Sequence, residues 1–575
     1  MHNYLEAPVA TSRLAKFPAM LATLPVLLFI FTFIFAAAQL AVAELTIGSG
    51  NTATAVPPIP RPSTTPCRVS LFSAYIFDNF NAQSFTYTPP ADCPAPWAKV
   101  ILNASFSISA GIQYDRTANI WIGDTNVYFG TTAEDQPHVG RDWQVERDLT
   151  DYSSLFTVSQ DGTVDLGNLV NPTYTGVLHG SAELLFFPLA PKQTAPRVAD
   201  QVIGFSAGPT GGTVGLGSPT SLLEQTLTLP TNITSVFFDV FAQGQSGDEF
   251  WYTCVPNDVS TELESCGNTA FRESEVTIDG TPAGVAPIYP WIFTGGIDPA
   301  LWIPIPGVQT LNFQPYRVNL TPFASLLDDG SPHTIALSVF NTAGYFSATA
   351  SLLLYLDSSA TALTGAVTEN TLTAPAPTVT ENLRTAKNGN ISGTVTTRAS
   401  HHFQISGYLN TSTGPVTTAV AEDINFLNLQ NFLVRPLLYV QDIDQQTTIH
   451  SVVTTKDAGG TYINDLKQNW PLSVKISETV NSDGSGTQTT AINQYLEKND
   501  EAKHNGQPTF TGLLENRVIS TDVLDFNSQG NITGNQNQSS SQDFFATDST
   551  GYCYSRDITA ANNVLTGITN GTGCN

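Results

Sequence analysis

The sequence predicts an all-β protein: tandem antiparallel β-sandwich domains followed by a C-terminal β-rich domain. Three observations lead there. Short runs of alternating or β-branched apolar residues recur along most of the chain, separated by Gly, Pro, Asn and Asp turn residues at the close spacing of sandwich strands. A single stretch, residues 151–156, reads as a helical turn. Charged residues make up only 13% against 41% hydrophobic, with Ser, Thr, Asn, Gly and Pro filling the remainder. At 575 residues the chain is long enough for two to four separate cores.

Taken in order, Arg13 and Lys16 precede an apolar run at 21–38, and Ala41-Val42-Ala43 offers a small-x-small cleavage site. Residues 1–43 therefore read as a signal peptide. The alternative is an uncleaved signal-anchor tethering the chain to a membrane through residues 17–38. Either exports the rest of the chain, so the protein is expected to be secreted or membrane-anchored. Residues 44–66, rich in Thr, Pro and small residues, read as an extended linker.

The first sandwich is expected over 67–190, with strands at 68–72, 99–108, 113–122, 125–130, 143–149, 163–169 and 179–187. The second is expected over 191–357. It begins with a Gly/Pro/Ala-rich connection and has strands at 235–242, 250–255, 275–279, 316–319, 333–340 and 348–356. Asp279-Gly280 marks a turn, and Leu352-Leu353-Leu354-Tyr355-Leu356 a fully buried strand. The β-rich remainder, 358–575, opens with a Thr/Ala/Pro-rich stretch that reads either as linker or as weakly alternating strands. Phe403-Gln404-Ile405-Ser406-Gly407-Tyr408 alternates well, whereas the Asn/Gln/Ser/Gly-rich 527–542 reads as a flexible surface loop.

A net charge of −26 argues against nucleic acid as a partner. Six cysteines in an exported chain imply disulfides, and their order suggests three local pairs: Cys67–Cys93, Cys254–Cys266 and Cys553–Cys574. No C-x-x-C occurs and the eight histidines are scattered, so no metal is expected. N-x-S/T acceptors stand at Asn103, Asn232, Asn319, Asn390, Asn410, Asn531, Asn537 and Asn570. No phosphate loop, nucleophile elbow, H-E-x-x-H or dinucleotide fingerprint is present, and no cofactor is expected.

What remains for chemistry is acids among aromatics. Gly111 to Ile122 carries Asp115 beside Arg116 within an alternating run; a buried ionised carboxylate there must be paired or lie in a cleft. Read alone, the pair is equally a structural ion pair. In Gly247-Asp248-Glu249-Phe250-Trp251-Tyr252, a strand would turn the two acids to opposite faces, leaving at most one for a cleft. The plain alternative is a hairpin tip with solvated acids. Glu134 and Asp135, one hairpin after Asp115, reach the same rim or form a solvated turn. His401 and His402 would face apart on a strand and are not expected to form a site.

Tyr114-Asp115-Arg116-Thr117-Ala118-Asn119-Ile120 resembles the strand that bears the catalytic aspartate in the bacterial jelly-roll peptide:N-glycanases. A much longer collinear series is similar to the acidic peptide-N-glycosidase A family of plants and fungi. That series includes Tyr87-Thr88-Pro89-Pro90, Gln113-Tyr114-Asp115-Arg116, Trp143-Gln144-Val145-Glu146-Arg147-Asp148, Asp248-Glu249-Phe250-Trp251-Tyr252, Thr294-Gly295-Gly296-Ile297-Asp298-Pro299 and Gly551-Tyr552-Cys553-Tyr554-Ser555-Arg556. The chain departs at Gly111-Ile112, at Thr117-Ala118-Asn119-Ile120 and at Gly123-Asp124.

The resemblance implies jelly-roll sandwiches and hydrolysis of the amide joining the innermost N-acetylglucosamine to asparagine, converting Asn to Asp in an N-glycopeptide or N-glycoprotein. Asp115 would act on the scissile amide or its water, and Arg116 would stabilise the carbonyl oxygen. Glu249, or less readily Asp248, would complete the catalytic set from the second domain. Trp121, Glu134, Asn168 and Trp251 are candidate substrate contacts. Two further readings stand beside this one: a non-catalytic glycan-binding sandwich, and a glycosidase acting between sugars.

Overall fold

The computed structural model describes residues 45–134 and 138–574, so the signal segment at 1–43 and Asp135 lie outside the described residues. Two four-stranded antiparallel sheets form the first sandwich. One runs in the order Cys67–Phe77, Leu178–Pro188, Trp97–Ile108, Arg141–Asp148. The other runs Gln83–Tyr87, Gln160–Leu166, Thr117–Ile122, Thr125–Thr131. Inward-facing aromatics fill the space between: the Phe106 ring stacks on Tyr128 and Trp143, and Trp97 packs on Phe186. Each such side chain contributes about 1.5–3 kcal/mol of burial.

In the second sandwich, Tyr345–Leu356 is the central strand of one sheet, flanked by Ile233–Gln245 and by Val214–Leu216 and Gln201–Phe205. The facing sheet runs Leu223–Leu227, His333–Val339, Glu273–Ile278, Thr281–Pro287. Asp279 and Gly280 both have positive φ (50° and 75°), as a tight two-residue hairpin requires. The unbroken Leu352-Leu353-Leu354 run has a specific cause. Leu352 and Leu354 point into the second sandwich's core, while Leu353 points the other way into the first sandwich's core. A strand buried between two cores needs apolar residues on both faces.

The remaining chain is one eleven-stranded antiparallel sheet from Thr364–Asn370 to Val564–Asn570, almost entirely a meander. Gly414–Arg435 alone has 22 residues, about 70 Å at a strand's rise of roughly 3.3 Å per residue. Phe403, Ile424, Phe426, Trp470 and Ile492 on its inner face join the second sandwich's core. Further along that face the inward residues are Asn, Gln and Ser, which bond to loop backbones.

Several expectations change. The 358–386 stretch holds two strands, Thr364–Asn370 and Thr378–Thr385. The expected loop at 527–542 is mostly strand, Ile532–Asp548. Its alternation is between buried polar residues (Gln538, Ser540, Gln542) and exposed ones, a pattern that hydrophobicity does not display. The 250–255 strand is replaced by 3₁₀ turns, and the strand expected from 113 begins at Thr117. Residues 45–66 are extended, and Ala53 and Ala55 are buried, donating to Pro304 O (2.9 Å) and Gln542 Oε1 (2.7 Å). Asn103 is buried and bonded to Glu183 and Gln144, which removes it from the glycan acceptors. His401 faces inward to Glu273 and His402 outward to Asp423. All three local disulfides form.

Candidate active site

Asp115 lies in extended chain just before the hairpin Thr117–Ile122/Thr125–Thr131. Thr132, at the other leg of that hairpin, fixes it: Arg116 N donates to Thr132 Oγ1 (2.9 Å), and Thr132 N to Arg116 O (2.8 Å). Thr132 O in turn accepts from Thr294 Oγ1 (2.7 Å), so a residue of the first sandwich is tied to a loop of the second. The same loop region continues the contact further on, where Thr131 N donates to Thr310 O (3.0 Å) and Phe313 N to Phe129 O (2.9 Å).

Next to Thr294, Gly295 sends its backbone N–H to the Asp115 carboxylate. A Cβ on Gly295 would lie 2.8 Å from Asp115 Oδ1 and 3.2 Å from Glu134 Oε2. Two carboxyl groups thus crowd one point, and only glycine leaves room for them. Gly296 is held by Trp302, whose Nε1 donates to Gly296 O (2.9 Å). A Cβ on Gly296 would meet the Phe250 ring edge at 3.2 Å, one residue from Glu249.

Glu249 follows a 3₁₀ turn, Ser246–Asp248, at the end of the long strand Ile233–Gln245. Burial, and then the charge of Asp115, push its carboxyl up to about 7. Burial also raises Asp115 above the ordinary carboxylate range, a rise that the Gly295 N–H and the Arg116 charge offset only in part. Both carboxyls are raised, but their surroundings differ: Asp115 has an amide donor and a cation favouring its charged form, whereas the groups acting on Glu249 all disfavour its charge. The Tyr252 hydroxyl, buried near Glu249, has no hydrogen-bond partner among the described residues.

Arg116 does not reach forward over the cleft. Its Nη2 donates to Gln113 Oε1 (3.0 Å), and its guanidinium carbon sits 5.6 Å from the Phe80 ring centre and 5.7 Å from that of Tyr114. Gln113 Nε2 bonds Leu169 O and Gly176 O, so the arginine rests on a braced amide.

Other sequence candidates fall elsewhere. Asp248 is fully buried; it pairs with Arg272 Nε (2.8 Å) and accepts from the amides of Ala343 (2.9 Å) and Gly344 (2.8 Å). Trp121 is 1% exposed and lies under Gly211, whose Cβ would sit 2.3 Å from the indole. Trp251 is buried against Tyr252 and Phe426. Asn168 is wholly buried, bonding Phe77 O and Gly176 O. In this arrangement none of the three presents a face to a ligand. The Gly123-Asp124 departure sits at the far end of the hairpin from Asp115, where Asp124 accepts from Gly204 N (3.2 Å). Reasoning from sequence gave Thr132, Thr294 and Gly295 no role. The signal was the Gly-Gly pair in an aromatic-rich loop, a mark of close backbone approach.

The family described as peptide N-acetyl-beta-D-glucosaminyl asparaginase amidase A matches residues 57–373, more than half the chain and every residue of this cluster. The chain belongs to that family. The match ends before most of the large C-terminal sheet. A curated relative from Prunus dulcis, named peptide-N4-(N-acetyl-beta-glucosaminyl)asparagine amidase A, is 27% identical over 545 residues, covering 90% of this chain and 92% of that protein. Among solved structures, a glycosylasparaginase from Flavobacterium meningosepticum, PNGase F, aligns at 13% identity and a TM-score of 0.34 over 51% of this chain and 96% of that one. PNGF-II aligns at 13% identity and a TM-score of 0.36, over 51% of this chain and 66% of that one.

Proposed function

We propose that this chain hydrolyses the amide between the innermost N-acetylglucosamine and an asparagine side chain, leaving aspartate in the peptide. The observation that supports it is the meeting of Asp115, Glu134 and Glu249 between the two sandwiches, where Asp115 has an amide donor and a cation beside it and Glu249 has only burial and a like charge. Interfaces between domains are where such pockets tend to form.

In this reading ionised Asp115 takes a proton from a water that attacks the carbonyl carbon, and protonated Glu249 delivers one to the leaving nitrogen. The carbon–nitrogen bond breaks, water's oxygen stays on the peptide as a carboxyl, and a glycosylamine departs, later losing ammonia in solution. Such a base and acid each contribute roughly 10²–10⁴ in rate. Arg116, stacked and braced, biases Asp115 toward its ionised form from behind. Glu134, sharing the Gly295 vertex, faces the sugar. Asp248, Trp121, Trp251 and Asn168 hold the frame. The body of the enzyme is the pair of sandwiches at 67–357, exported through the secretory pathway, where its disulfides would form.

The test is mass spectrometry of a defined N-glycopeptide digested in ¹⁸O-water at pH 5, wild type beside Asp115→Asn. The expected result is release of the whole glycan with one ¹⁸O in a new aspartate, absent in the variant. An intact glycopeptide, or cleavage between sugars with asparagine retained, would overturn the reading.

A further inference from the structure

The loops carrying Glu249 and Gly295 are held from behind by the C-terminal sheet, mostly outside the stretch that the family description matches. Behind Glu249, Asn428 Nδ2 donates to Tyr252 O (2.9 Å), Gln441 Nε2 to Thr253 O (3.0 Å) and Gln430 Nε2 to Cys254 O (2.8 Å). These amides are at most 4% exposed and bond one another: Gln430 Nε2 to Asn428 Oδ1, and Gln441 Nε2 to Gln430 Oε1. Behind Gly295, Gln494 donates to Pro290 O and accepts from Val308 N, each at 2.8 Å, spanning both ends of the loop. A buried carbonyl that loses its donor costs about 1–3 kcal/mol, so replacing such an amide by an apolar residue releases the loop it holds.

One link in this row is acidic on both sides. Asp298, three residues after Gly295, and Asp522, from the sheet, are both buried, and each has an Oδ2 without another hydrogen-bond partner. The two side chains face each other within hydrogen-bonding reach. Their remaining oxygens are already committed: Ala300 N donates to Asp298 Oδ1 (2.9 Å) and Asn535 Nδ2 to Asp522 Oδ1 (2.9 Å). Leu301 N and Val523 N also donate toward the pair, and Asp525 adds a like charge beside Asp522. Two buried carboxylates so placed resist ionising together, and a proton shared between them relieves the repulsion.

We propose that the C-terminal sheet is a working part of the active site, with Asn428 and Asp522 as positioning residues that keep Glu249 and Gly295 aligned on Asp115. The inference rests on the hydrolase reading above, and adds that the Asp298–Asp522 bond lasts only while its proton does. Burial, then the Asp522 charge, raise Asp298 to about 7, and burial raises Asp522. Because these folded-state values exceed those of the unfolded chain, the bond's stabilisation is fully present below about pH 4 and lost as pH rises through about 7. Above that, two charges repel and the Gly295 loop detaches.

Three measurements on the full chain test this. Asp522→Asn supplies a permanent donor, so the alkaline limb of kcat against pH should lose one proton's slope while Glu249 keeps the other. Asp522→Leu should lower kcat about tenfold at pH 5 with KM within twofold. Asn428→Leu should do the same, whereas Gln446→Ala, on the sheet's outer face, should change nothing. Hydrogen exchange of the 288–303 loop, corrected for intrinsic rate, gives a readout that needs no turnover. Protection should fall above pH 7 in the wild type and persist in Asp522→Asn. If protection is independent of pH in both proteins, or if the leucine variants lower only melting temperature, the positioning role is refuted. A wild type with the expected loop protection but no glycopeptide hydrolysis would instead sink the hydrolase reading and leave the clamp standing.

Discussion

The pocket around Asp248 and the cleft around Asp115, Glu134 and Glu249 both bury carboxyl groups beside the second sandwich, and Asp248 and Glu249 are neighbours in the chain. At Asp248 every charge has an answer: Arg272 is fully buried with it, and two backbone amides complete its shell. In the cleft, acids meet acids. Glu249 is raised by burial and by Asp115, and Arg116, the arginine acting on Asp115, stands to one side on Gln113. Burial therefore does not separate a structural acid from a working one; the supply of counter-charge does.

Asp115→Asn should break the comparison most severely. We expect kcat to fall by roughly 10³ or more, with melting temperature at pH 7 unchanged or higher. Burial holds the Asp115 carboxyl above its ordinary value, so its ionised form weakens the fold and a neutral amide removes that cost. A parallel loss of stability would move Asp115 into the structural class.

Asp248→Ala should do the reverse. It leaves a buried guanidinium unpaired, at a cost of about 3–5 kcal/mol in denaturant unfolding, while the fraction still folded turns over normally. Selective loss of kcat without destabilisation would show that Asp248 belongs to the cleft.

Glu249→Gln tests the acid's role and its sign. Glu249 keeps its proton below about 7, so wild-type kcat should fall as pH rises through that value. The variant should be about 10²-fold slower at pH 5. It should also gain melting temperature over the wild type at pH 8 but not at pH 4, because the wild type's penalty appears only as Glu249 ionises. A variant that matches wild-type kcat at pH 5 would remove Glu249 from the mechanism.

The smallest effect sharpens the contrast between framework and cleft. Trp121→Phe trims a ring packed under Gly211 and should cost about 1–2 kcal/mol of stability, with KM for the glycopeptide unchanged. A several-fold rise in KM would bring Trp121 into contact with substrate.

Much of this architecture was legible in the chain. Period-two apolar patterns in 99–108, 333–340 and 403–408 mark strands because one face of each meets a side-chain core. The same reasoning fails at Ile532–Asp548, where Gln538 and Gln542 face loop backbone and the buried face must be polar to satisfy it. It fails again at 250–255, where Phe, Trp and Tyr suggest a strand. Here Trp251 and Tyr252 pack as single anchors in a 3₁₀ turn, and the Tyr252 carbonyl accepts from Asn428 of the distant sheet. At the site, Asp115 and Glu249 stood out as acids among aromatics. Gly295 did not, because its importance lies in what approaches it.

The sequence by itself determined the strands with an apolar buried face, the tight turn at Asp279-Gly280 and which acids are candidates. All of these depend on residues within a few positions, where backbone geometry and side-chain type act directly. The tertiary structure alone decided which acid meets a cation and which meets another acid. Arg272 reaches Asp248 across 24 residues, and Thr294 ties the Gly295 loop to Thr132 across 162. An acid's charge state is set by burial and by the sum of charges around it. Both are fixed only when separate stretches of chain are packed together.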